Sequence, residues 1–267
     1  MQISIPVSAN GDEWIVAEVL RDEFATARNT QDAIDTTAQL KNETEASVEL
    51  YALFLRFVAE RLDVESQSAA ARTAFLLEAL KHFTETYLSQ QDIHNVAAAF
   101  DTDVRKTVLA AYYFALSTLE QKGVVVPRTP VSALLKAAEK GDASIYALFG
   151  GQGTNEVYFD ELQTLYDTYK PFVAPFIATL TTTILLPLAA AAESTNFYTH
   201  GLDVLAWLSG TSPRPPLAYF ASIPISLPLI TLTQLTQYLV VCRATHLSPG
   251  ELRSRFAGAT GHSQGIV

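Results

Sequence analysis

Ser144-Ile145-Tyr146-Ala147-Leu148-Phe149 is a short apolar run that stops at Gly150-Gly151-Gln152-Gly153, and a helical pattern through Tyr158, Leu162 and Leu165 follows it. Strand, glycine loop and helix in that order open an α/β layer. On either side the sequence has a different character. Residues 12–122 contain neither glycine nor proline, whereas eleven of the twelve prolines lie beyond position 126. This shift predicts a helical region over 1–142 and a loop-punctuated α/β region over 143–267. The fold class read from the pattern is therefore a helix-rich α/β protein.

In the front region Leu50, Phe54, Phe57 and Val58 recur at helical spacing behind a cap at Thr44. The same spacing joins Leu76, Leu80, Phe83 and Tyr87, and again Val104, Val108, Ala111, Ala115 and Leu119 behind Asp103. Alternation at Ile3, Ile5 and Val7 predicts a short leading strand, and Val124–Val126 a second. A helix opening at Thr129-Pro130 is expected to end at Lys140-Gly141. Further helices are expected over 176–192, 201–209 and 229–246.

Composition narrows the function. With 28 acidic and 18 basic residues the net charge is −10, which argues against nucleic acid as the main partner. One cysteine, Cys242, excludes an intrachain disulfide framework and fits a reducing compartment. Only 17 % of residues are charged while 49 % are hydrophobic, so much of the surface is expected to be covered by other protein. The start has no basic residue before Arg21 and does not read as a secretion signal. Two uncharged stretches, 171–192 and 215–242, are long enough to span a bilayer. Their prolines, threonines and glutamines, Gln234 and Gln237 among them, make them read as buried helices of a cytoplasmic protein. No metal-ligand spacing stands out; Asp101 and Asp103 read as a solvated turn and cap, and Asn42-Glu43-Thr44 as a helix start rather than a glycosylation site. Arg214, Arg253 and Arg255 read as solvated, with an anionic substrate as the alternative.

Chemistry enters at Gly261-His262-Ser263-Gln264-Gly265. The pattern G-x-S-x-G is that of a nucleophile elbow, a sharp strand-to-helix turn that exposes a serine hydroxyl. Its glycines, Gly261 and Gly265, let strand and helix approach closely around a strained serine. Chance alone produces the pattern in about one chain in ten of this length, and the small residues Ala257-Gly258-Ala259 in front of it strengthen the reading. For Gly150-Gly151-Gln152-Gly153 two readings stand. The loop either brings a second backbone N–H to the oxyanion formed at Ser263 or is a plain glycine-rich turn. A phosphate loop is excluded, because the next lysine is Lys170.

The two motifs in this order resemble the acyltransferases of fatty acid and polyketide synthases. The longer segments 149–155, 225–234 and 249–255 resemble the N-terminal acetyltransferase region of the fungal type I fatty acid synthase beta subunit. That resemblance implies an acyltransferase core of α/β-hydrolase-like build, of which this chain holds the opening part. Ser263 would carry an acetyl group from acetyl-CoA, or another acyl group from its CoA ester, to an acyl carrier protein. The N–H groups of Gln152 and Gln264 would form the oxyanion hole, with Gly150, Gly151, Gly153, Gly261, His262 and Gly265 setting the geometry. No bound cofactor is implied; the partners implied are the carrier protein, the remaining beta-subunit regions and the alpha subunit. A serine hydrolase or thioesterase, and a catalytically silent assembly module, are the alternatives.

Such acyltransferases place their general-base histidine well downstream of the serine. His262 faces away from its neighbour's hydroxyl, and His82, His94, His200 and His246 read as helical, surface or capping residues. The sequence is accordingly read as an N-terminal fragment, inactive alone. The few residues after Ser263 are expected to fray rather than build the elbow's helix.

Overall fold

The computed structural model describes residues 11–32, 43–62, 69–89, 91–126, 132–151 and 158–266. The chain forms two compact units, Met1–Pro130 and Val131–Val267.

The first unit is helical: α1 (Gly11–Asp32), α2 (Glu43–Ala59), α3 (Ala69–Phe83) continuing into a π-helical turn Thr84–Leu88, α4 (Ile93–Ala97) and α5 (Thr102–Gln121). The stripes read from the sequence face inward: Phe54, Val58, Leu76, Leu80, Phe83, Val108 and Leu119 are buried. Phe24 of α1 meets Phe54 and Phe57 edge-on, each at 5.3 Å between ring centroids. Helix α2 begins one residue before Thr44, and α5 begins behind Asp101, so Asp103 lies in its first turn, where a carboxylate suits the helix dipole. The expected strand at Val124–Val126 is absent. Helix α5 ends with Gly123 at φ +76, Gly123 N–H donating to Glu120 O and Val124 N–H to Leu119 O. This paired C-terminal cap spends the Val124 donor that a strand would need, and Val125 is left 90 % exposed. The expected strand at Ile3–Val7 and the helix opening at Thr129-Pro130 lie outside the described residues.

The second unit runs α6 (Ala133–Lys140), β1 (Ile145–Phe149), α7 (Tyr158–Thr168), α8 (Lys170–Leu180), a π-helical turn Thr181–Leu185, α9 (Leu186–Ala191), α10 (Val204–Ser209), α11 (Leu217–Ala221), α12 (Ile223–Thr245), α13 (Pro249–Ser254), β2 (Phe256–Gly261) and a 3₁₀ turn Ser263–Ile266. Helix α6, which the sequence reading puts at the end of the front region, belongs here. Its Leu135 packs with Cys242 of α12 and Leu252 of α13, against Ile145 and Phe256. It stops as expected, with Gly141 at φ +79.

Helix α12 starts at Ile223, earlier than expected, because Pro224 occupies the first turn, where no N–H is required, and Pro228 removes only one bond near that end. Helices α8 and α9 form one line through the π-helical turn. Pro187 has no N–H for the carbonyl four residues back, and the wider turn just before it accommodates this.

Two helical stretches, Lys170–Ala191 and Ile223–Thr245, are long and apolar enough to cross a bilayer by length and composition. The second is half buried. The first is only one-third buried, less than the sequence reading expects, and exposes Ile184, Leu186 and Leu188. An aromatic cluster joins α7, α10 and α11: Phe159 stacks on Phe220 at 4.5 Å, Trp207 meets both edge-on, and Tyr158 Oη donates to Phe220 O at 2.9 Å.

Tyr51 in the first unit has a consequence that can be measured. It is 2 % exposed among Phe54, His82, Phe83 and Tyr87, and its hydroxyl has no hydrogen-bond partner among the described residues. Burial pushes its pKa up, so the group stays neutral. A buried hydroxyl without a partner costs about 1–3 kcal/mol. Tyr51→Phe is therefore expected to keep or raise stability, by up to about 1 kcal/mol in denaturant titrations, rather than lower it as removal of a bonded hydroxyl would.

Candidate functional site

Strands β1 and β2 pair in parallel, with Tyr146 opposite Gly258, Ala147 opposite Ala259, Leu148 opposite Thr260 and Phe149 opposite Gly261. Among the described residues this two-stranded ladder is the whole sheet. One face, carrying Ile145 and Phe256, packs on α6, α12 and α13, while Tyr146 and Leu148 on the other face are exposed. A Cβ at Gly258 would approach the Tyr146 ring to 3.3 Å, so glycine there leaves room for the ring. Because the strands run the same way and end level, the two glycine motifs leave the sheet side by side.

The elbow closes over this edge. His262 N–H donates to Phe149 O at 3.0 Å, extending the ladder by one bond, and Gly265 N–H turns back to His262 O at 2.9 Å. Between them Ser263 has φ +55, a left-handed backbone that is uncommon outside glycine. The strained backbone is held by a bond on each side, and Ser263 is exposed. The expectation of a fraying end is corrected: Ser263–Ile266 form a 3₁₀ turn, which is shorter than the helix of a full elbow. At Gly265 there is no room for a side chain. A Cβ there would lie 2.1 Å from Phe149 O and 2.8 Å from Gly150 O. At Gly150, by contrast, a Cβ would have nothing within 4 Å, so packing does not require glycine at that point. Gln152 and Gly153 lie outside the described residues.

None of the five histidines hydrogen-bonds to Ser263 among the described residues. His82 lies beside Thr86, and His94 Nδ1 is 2.6 Å from Asp92 Oδ1, both in the first unit. His200 meets the Tyr219 ring edge-on, and His246 caps α12 at φ +55. His262 contributes its backbone N–H to the elbow, and its side chain is exposed. Two of the arginines serve packing and pairing: Arg214 pairs with Asp160 and lies over Phe159 and Phe220, and Arg255 pairs with Glu139 at 3.0 Å. No group of three or more metal-ligating side chains occurs among the described residues.

Two supports are not apparent from the motifs. Ser248 and Glu251 form a reciprocal cap with Pro249 in the first turn of α13, the helix that leads into β2. Gln234 of α12 donates from Nε2 to Gly150 O at 2.6 Å, and Gln237, one turn on, bonds Glu161 of α7. The sequence does carry a signal for the second, since two amides three residues apart in an uncharged stretch share one helix face and need partners.

Gly265→Ala is expected to push the elbow off β1. The His262 amide, now bonded to Phe149 O, should then exchange with solvent at least about tenfold faster, measured by hydrogen–deuterium exchange.

Comparison with known proteins gives two domain matches. Residues 1–119 match the N-terminal domain of fatty acid synthase subunit beta, and residues 147–267 match the starter unit:ACP transacylase of aflatoxin biosynthesis. Fatty acid synthase 2 of Mycosarcoma maydis is 39 % identical over 280 residues, which covers 100 % of this chain and 7 % of that protein. Fatty acid synthase subunit beta of Schizosaccharomyces pombe is 35 % identical, covering 99 % of the chain and 12 % of its relative. Fatty acid synthase beta subunit aflB of Emericella nidulans is 40 % identical over 71 % of the chain and 9 % of its own length. The chain thus spans a small part of each relative.

Proposed function

The chain belongs with the N-terminal region of the fungal fatty acid synthase beta subunit, and from that premise we propose that Ser263 is the nucleophile of an acyl transfer from acyl-CoA to an acyl carrier protein. One observation carries the reading: a serine at φ +55, at the end of a strand whose parallel neighbour ends in the glycine loop, with a close approach that the glycine at 265 permits. The reaction has two halves. Ser263 Oγ attacks the thioester carbonyl, its proton passes to a base, and the CoA thiolate leaves. The carrier's thiol then attacks the serine ester, regenerating the hydroxyl.

Each half passes through an oxyanion, and we assign its donors to the backbone N–H groups of Gln264 and Gln152. Acetyl-CoA or a longer acyl-CoA is substrate, and no resident cofactor enters the scheme. No imidazole is bonded to Ser263 among the described residues, and the scheme assigns the base's role to none of the five histidines. The carrier protein, the rest of a beta subunit and an alpha subunit are the partners this reading requires, in the cytoplasm.

The test uses labelled acetyl-CoA with the assembled synthase that contains this region. The label is expected as an ester on Ser263, found by mass spectrometry of the digested protein, and then on the carrier. In Ser263→Ala transfer should fall to background, since losing a serine nucleophile costs about 10⁶ in turnover in a well-measured hydrolase. The 267-residue chain alone should transfer no more than that variant. Label on another residue overturns the assignment of Ser263, and release of free acid in place of carrier ester favours the hydrolase alternative.

A further inference from the structure

The glycine loop begins with a peptide that its own sequence cannot orient. Gly150 and Gly151 have no side chains to hydrogen-bond or restrict the backbone, and glycine is the residue with the most conformational freedom. Gly150 also meets no packing constraint of its own. Its carbonyl is nevertheless fixed from outside, by Gln234 Nε2 at 2.6 Å across 84 residues of sequence. The same carbonyl borders the space left by the missing side chain of Gly265, two residues past the nucleophile.

We infer that Gln234 is a positioning residue of the acyl-transfer site: through Gly150 O it sets the peptide plane at which β1 passes into the glycine loop beside Ser263. The inference rests on the reading of Ser263 as nucleophile. A trans peptide is planar, so fixing the Gly150 carbonyl also fixes the Gly151 N–H, which points the opposite way. Helix α12 is suited to the task. It is 23 residues long and buried at Leu229, Ile230, Leu232 and Thr233 around Gln234. Gln237 on the same face holds Glu161 in the first turn of α7, the helix into which the loop runs. One rigid helix thus grips the chain before and after the loop. Gln234 touches neither substrate nor Ser263 in this scheme; it acts through the peptide it holds.

The experiment measures acetyl transfer in the assembled synthase for wild type, Gln234→Ala, Gln234→Glu and Ser263→Ala, recording turnover, the KM for acetyl-CoA, and the end-point amount of ester on Ser263. A misplaced peptide weakens interactions made in the transition state. Gln234→Ala is thus expected to lower kcat by about 10- to 100-fold with KM changed less than about threefold, while the end-point ester stays at the wild-type amount. Gln234→Glu, which sets a carboxylate against the carbonyl, should be at least as slow. Wild-type turnover in Gln234→Ala beside an inactive Ser263→Ala overturns the inference and leaves the nucleophile standing. A reduced end-point with an unchanged rate per labelled serine means a merely structural role and also overturns it. If wild type forms no ester on Ser263, the functional reading falls and this inference with it.

Discussion

The parallel pairing of β1 with β2 is the constraint on which the rest of the site depends. A parallel pair cannot be closed by a hairpin; it needs a long crossover, and here everything from α7 to α13 supplies it. The result is that residues more than a hundred positions apart in sequence, Phe149 and Gly261, sit opposite each other at the ends of neighbouring strands. The His262–Phe149 bond and the empty space at Gly265 then lock the elbow to that edge. Ligand crevices in open α/β sheets lie at the carboxyl ends of strands, and both glycine motifs leave the sheet there.

The crossover also supplies rigidity. Helix α12 is nearly uniform in its apolar character, yet it packs against α7, α8, α11 and α13, so its sides are used by different neighbours. Its buried threonines, Thr233 and Thr236, return their hydroxyls to the carbonyls four residues back, which lets polar residues sit in the core without orphaned groups. Arg214 extends the Phe159–Phe220 stack with its guanidinium and pairs with Asp160, a use of arginine for packing as much as for charge. Cys242 is buried beside Leu135 and Leu252, and burial raises its thiol pKa, as befits a packing residue.

Much of this is legible in the sequence. Apolar spacing finds α2, α3 and α5, because an amphipathic helix must place its stripe on one face whatever it packs against. The run before Gly150 finds β1, and the glycines around Ser263 mark a tight turn, because the strain of that turn restricts which residues fit. What misleads is local. Val124–Val126 has the residues of a strand, but the cap of α5 consumes its first donor. The helix expected from 229 begins at Ile223, since Pro224 serves the first turn and Pro228 lies inside α12. Helix α6 follows the front region in sequence, yet the Leu135 contacts place it in the second unit.

The sequence by itself determined the residue types the site needs: a serine between glycines, a glycine loop behind a strand, and helices with one apolar face. These are set by backbone strain and by periodicity, which act within a few residues. Only the tertiary structure decided that the two motifs meet, that Gly265 rather than Gly150 is the glycine demanded by space, and that Gln234 holds the loop. Those facts depend on contacts across 84 residues or more, and no local rule of propensity or spacing encodes a distance between segments that far apart in the chain.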